Sequence, residues 1–271
     1  MVRTRPRPAV NRIRGDDQST STPPAVKRAL IRGALLALSL LPSCGTSSIT
    51  GGLSGEGRRV LFIGNSYLYT QDIPGIVQAF ADSAKGDHLA VQTISGPDMA
   101  LIDHWNAGDA RREIAKGGWE WVVLQQGPSS VDVNRDTLRL ATKLFAGDMA
   151  RVNARPALFS AWPTETRRQD FDRAIESYAL AATDVNGLFV PVAAAWLAAW
   201  KRDSNLQLYA DGLHPSLAGA YLSALVVYSR LLDKSPVGLP SALDLRGGRR
   251  ISIDSQTAAL LQSAAAEAVG R

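Results

Sequence analysis

The sequence predicts an α/β protein built on a parallel sheet of about five strands with helices on both faces. Five apolar runs recur from Arg58 onward, at 58–63, 88–94, 119–126, 155–162 and 187–192, each nearly continuously hydrophobic, as strands buried on both sides are. Segments of helical length and periodicity separate them, so strand and helix alternate along the chain.

The first run, "RRVLFI", stops at Gly64-Asn65-Ser66, where two turn formers precede a serine. A polar, aromatic stretch follows, and the next helix is expected only over 72–85, with Asp72 near its start and Gly86 after its end. "HLAVQTI" is the second strand; it leads into the turn "SGPD" and a short helical piece around "MALIDHW". "WEWVVLQQ" is the third strand, and 135–152 reads as a helix. "RPALFSAW" is the fourth, followed by a helix over about 167–185; "GLFVPV" is the fifth, followed by the short helix "AAAWLAAW". A strong helix covers 215–233 with Pro215 in its first turn, and a last helix covers about 254–269. In a parallel sheet of this kind ligands bind beyond the carboxyl ends of the strands, so the informative residues are those that follow strands: Ser66, Gly96, and Gln125 with Gln126.

With 45% of its 271 residues apolar, the chain can bury the core of one sizeable domain. The formal charge of +5 hints at an acidic partner, but it is unevenly placed. Eight of the 30 Lys/Arg and two of the 25 Asp/Glu lie in the first 43 residues, leaving 22 against 23 and a formal charge of −1 from position 44 onward. A nearly neutral body removes the support for a nucleic-acid surface.

Residues 1–43 read as a leader and signal peptide, 44–57 as a flexible Gly/Ser/Thr linker, and 58–271 as the domain. Lys27, Arg28 and Arg32 precede "GALLALSLL" (33–41), a run of signal-peptide length that is too short to span a bilayer. Cys44, the only cysteine, excludes an internal disulfide. It follows "LPS", which resembles a bacterial lipobox with Leu41 and Ser43 in place and Pro42 as a departure. That resemblance implies lipidation of Cys44 and anchoring in the bacterial cell envelope, on the periplasmic side or in the outer membrane. Residues 1–25, rich in Arg, Pro, Ser and Thr, make a long n-region and suggest translation from near Val26.

The second chemical signal is "YADGLHPS" (209–216). Asp211 and His214, three apart with Gly212 between them, let one short loop present a carboxylate to an imidazole Nδ1 and leave Nε2 free for a serine proton. The same residues can also serve as a helix cap; a strand-end serine elsewhere in the chain favours the catalytic reading.

With these blocks the sequence resembles the SGNH hydrolases, also called GDSL-type esterases, over about Val60 to Gly238. The blocks are "FIGNS", with Asn65 where many members have Asp, "ISGPDMALIDHW", and "DGLH". The "GNS", "HW" and "VVLQ" elements are similar to those of an uncharacterised bacterial branch. The resemblance implies a flavodoxin-like three-layer α/β/α sandwich and a serine esterase using Ser66, His214 and Asp211, with neither metal nor cofactor. It implies an oxyanion hole made by the N–H groups of Ser66 and Gly96. The usual third-block asparagine is absent from "VVLQQGPSS"; Gln125, which the related branch favours, or Gln126 can offer an equivalent amide. If Gly127 aligns with the block glycine instead, Ser129 takes that place. His104 and Trp105 are candidates for the substrate cleft or for the core, and so is Trp162, which follows the fourth strand. Trp196 and Trp200, at i and i+4, read as packing.

The ester substrate is expected to be an acetylated carbohydrate or cell-envelope polymer, by analogy and compartment. Two alternatives stand beside it: a non-catalytic glycan-binding lipoprotein that keeps the fold, and a lipase or thioesterase on the same three residues.

Overall fold

The computed structural model describes residues 48–50, 57–84 and 88–271. Five parallel strands form the predicted sheet: β2 (Arg58–Gly64), β3 (Leu89–Ser95), β4 (Trp121–Leu124), β5 (Arg155–Phe159) and β6 (Leu188–Val190), in the order β3-β2-β4-β5-β6. Val60 to Ile63, at the centre, are wholly buried, as strands covered on both faces must be. A sixth strand, β1 (Ser48–Thr50), pairs antiparallel with β3, Ser48 opposite Ser95. Part of the segment read as linker is therefore sheet edge, while Cys44 and the leader lie outside the described residues.

The helices α2 (Ile73–Ser83), α7 (Val192–Arg202), α8 (Leu217–Leu232) and α9 (Ser255–Ala268) pack together as one layer. The other layer holds α3 (Leu101–Ala107), α4 (Asp109–Ala115), α5 (Asp132–Ala150) and α6 (Phe171–Asp184). Right-handed crossovers between parallel strands require this division of the connections. Among the described residues, no helix is long and apolar enough to cross a membrane.

Several local expectations are corrected. A one-turn helix, α1 (Ser66–Tyr69), starts directly after β2 because Asn65 caps it, its side chain accepting the Tyr67 N–H. The piece after β3 is two helices, broken at Gly108, whose φ of 81° only glycine adopts without strain. Pro215 precedes α8 instead of opening it; Ser216 is the cap, accepting from the Gly219 N–H. A hairpin, β7 (Ala242–Asp244) with β8 (Arg250–Ser252), was not foreseen.

The chain leaves β2 toward β3 on one side and reaches β4 on the other. The crevice at this reversal, beyond the carboxyl ends of β2 and β4, is where such a sheet places a ligand.

Candidate active site

Ser66 is the first residue of α1, at the end of β2. Its Oγ lies 3.0 Å from His214 Nε2, and His214 Nδ1 lies 2.7 Å from Asp211 Oδ2. Asp211 Oδ1 accepts the N–H groups of Leu213 and His214, so a single carboxylate shapes the loop and orients the ring. The hydrogen bond from His214, reinforced by these two N–H groups, holds the Asp211 carboxyl down at about 2. Gly212 makes the loop with φ of 82°, as its place between the two residues suggested. Tyr67 stands edge-on to the His214 ring; burial, with the Asp211 charge beside it, keeps its hydroxyl far above the usual phenol range and hence protonated.

Trp162 does not line the cleft. It is fully buried, stacked between Tyr67 at 4.9 Å and Trp196 at 4.1 Å. Its Nε1–H donates to the Leu213 carbonyl, one residue before His214. The Glu165 N–H donates to the Gly212 carbonyl, so the segment after β5 holds the Asp211–His214 loop at two points. The tryptophan thus braces the loop that carries His214.

His104 is buried as well. Its Nε2 lies 2.8 Å from the Gly64 carbonyl and, facing an oxygen that can only accept, must carry the proton. Burial lowers its basicity and keeps the ring neutral. Trp105 packs edge-on against Phe145 under the Arg111 guanidinium, away from the cleft. Trp200 stands edge-on to Trp196, as packing residues do.

The residues expected to form an oxyanion hole bond to protein groups in this structure. The Gly96 N–H donates to the Gly64 carbonyl at 3.3 Å, extending the β2–β3 ladder. The Gln125 amide sends its hydrogens to Asn65 Oδ1 and the Gln126 carbonyl. Gln126 lines the cleft, but its Nε2 is directed to Ser129 Oγ and the Asn134 carbonyl, while its Oε1 accepts the Leu101 N–H. Ser129 Oγ donates to the Gly127 carbonyl. None of these groups points a donor at Ser66. The Ser66 N–H, at the first position of a helix, has no intrahelical acceptor.

The cleft beside Ser66 has a volume of about 300 Å³. Its lining includes Asp98, Met99 and Ala100, Gln126 to Ser129, and Asn134 and Thr137 of α5. Sequence reasoning missed α5 here, because two ordinary polar residues on an amphipathic helix carry no signal. Among the described residues there is no cluster of side chains suited to a metal ion.

Sheet order and layers match the α/β sandwich of SGNH hydrolases. A DUF4886 family protein from Bacteroides uniformis superposes with a TM-score of 0.66 at 17% identity, covering 79% of this chain and 95% of that one. A candidate SGNH hydrolase from Slackia heliotrinireducens gives 0.55 at 23%, covering 65% and 100%. A lipase/acylhydrolase from Enterococcus faecalis gives 0.53 at 15%, covering 64% and 95%. No family model and no curated protein sequence matches the chain. At these identities the likeness establishes the fold.

Proposed function

We propose that the chain is a serine esterase that hydrolyses short acyl esters of polar alcohols. The observation that carries this reading is the hydrogen-bonded run from Ser66 Oγ through the His214 imidazole to Asp211. Ser66 Oγ passes its proton to His214 Nε2 and attacks the ester carbonyl, and the N–H of Ser66 faces the oxyanion. His214 returns the proton to the leaving alcohol. A water, deprotonated by the same nitrogen, then attacks the acyl-serine, and His214 hands that proton to Ser66 Oγ as the acid departs.

The small volume of the cleft supports a small acyl group, and the polar side chains of Gln126, Ser129, Asn134 and Thr137 among its lining support a hydroxylated alcohol such as an acetylated glycan. The leader supports export, with lipidated Cys44 tethering the enzyme to the envelope. Detergent phase partitioning of the full chain and of Cys44→Ala tests the tether; a parent that stays in the aqueous phase removes it.

The enzymatic test is hydrolysis of p-nitrophenyl acetate and of acetylated oligosaccharides by the parent, Ser66→Ala and His214→Ala. Both variants are expected to lose at least about 10³ in kcat. Parity of all three proteins on both substrate types would leave the binding protein as the better reading.

A further inference from the structure

Gln125 is fully buried, and its amide hydrogens are spent on neighbours instead of the cleft. The geometry points to Gln125 as a positioning residue that keeps Ser66 in register with His214, an inference that rests on Ser66 being the nucleophile. Its Oε1 accepts the Asn65 N–H at 3.0 Å and its Nε2 donates to Asn65 Oδ1 at 3.1 Å. One amide thus grips both the main chain and the side chain of the residue before the serine. The second Nε2 hydrogen goes to the Gln126 carbonyl at 2.6 Å. Only one orientation of the amide satisfies this set; reversed, it would face an N–H with its NH₂ and two acceptors with its oxygen.

Asn65 passes the constraint on. Its Oδ1 accepts the Tyr67 N–H and its Nδ2 donates to the Met99 carbonyl, each at 3.2 Å. Ser66 therefore lies between two residues whose N–H groups are both tied to this amide pair. Gly64 is fitted to the same clasp: a Cβ there would lie 2.2 Å from Gln125 Oε1. An apolar side chain at 125 leaves the Asn65 N–H without its acceptor and Asn65 Oδ1 without one donor, which Asn65 relieves by moving and carrying Ser66 with it.

The test compares Gln125→Met, of similar size, Gln125→Glu and Asn65→Ala with the parent and Ser66→Ala on p-nitrophenyl acetate. Gln125→Met is expected to lose about 10² in kcat, the effect of a displacement of about 1 Å at the reacting atoms, with KM within about twofold. Combined with Asn65→Ala it is expected to be no slower than the slower single variant, since its effect passes through Asn65. Gln125→Glu is expected to recover activity as the pH falls, because the protonated carboxyl again offers a donor to Asn65 Oδ1. Should Gln125→Met fail to fold, Gln125→Glu carries the same measurements. Parental kcat in the variant, or losses that add in the double variant, overturn the positioning role and leave the esterase reading intact. A parent no faster than Ser66→Ala overturns the esterase reading instead. The crystal structure of the position-125 variant then decides this inference: a Ser66–His214 hydrogen bond still in place overturns it, and a separated pair supports it.

Discussion

His104 donates through Nε2 to the carbonyl oxygen of Gly64 at 2.8 Å, two residues before Ser66, while its Nδ1 is buried without a partner among the described residues. Burial holds this imidazole below its ordinary basicity, so the folded protein binds fewer protons here than the unfolded chain once the pH falls below about 6.5. Stability is full above that pH and is lost as the pH falls toward the lowered folded value. Thermal melts between pH 7.5 and 5 are expected to show the parent losing stability faster than His104→Gln, whose amide can keep the bond to Gly64. Parallel curves for the two proteins would refute the assignment.

Asp211 works in a lower window. Its carboxyl falls from about 4 in the unfolded chain to about 2 in the fold, so it contributes stability above pH 4 that disappears as the pH drops through 2. In Asp211→Asn the stability gap from the parent is expected at neutral pH and should close between about pH 4 and 2. The same variant favours the wrong imidazole tautomer and is expected to lose about 10³–10⁴ in kcat. An active Asp211→Asn enzyme would assign the orientation of His214 to some other group.

Trp162 separates support from chemistry. Trp162→Phe keeps a ring in the stack and removes the donor to the Leu213 carbonyl, which is expected to cost about 1 kcal/mol of stability. Trp162→Ala empties a fully buried site and is expected to cost about 3–5 kcal/mol. Urea unfolding measures both. A Trp162→Ala protein as stable as the parent would mean the side chain does not pack as described.

Acyl-chain preference discriminates between the esterase readings. Each methylene that finds an apolar groove gains about 0.8 kcal/mol, but the cleft is small, about 300 Å³, and its wall mixes polar with apolar surface. Across p-nitrophenyl esters from acetate to octanoate, kcat/KM is expected to fall or stay level. A rise of more than about tenfold, which about two buried methylenes would give, would favour the lipase or thioesterase.

The residues legible in the sequence were those whose meaning is local. Ser66 ends an apolar run, and Asp211 and His214 share one short loop, so type and spacing announced them. Residues whose meaning lies in a partner across the sheet were left with alternatives open. Gln125 looked like an oxyanion donor because nothing nearby in the chain reveals Asn65, sixty positions earlier, as its partner. Trp162, at a strand end, looked like a cleft residue because Leu213 and Trp196 are invisible from position 162. The five parallel strands announced themselves through continuous burial. β1 and the β7–β8 hairpin, three residues to a strand, are too short to carry a period.

The Trp162–Trp196 stack also gives the molecule an optical signature. Two indoles 4.1 Å apart and only 13° from parallel couple their excited states. The first of them holds the carbonyl next to His214. Near-ultraviolet circular dichroism should therefore contain a band that lives and dies with the seating of the histidine loop. Denaturation followed in that band would report when His214 leaves Ser66, with no substrate or added label.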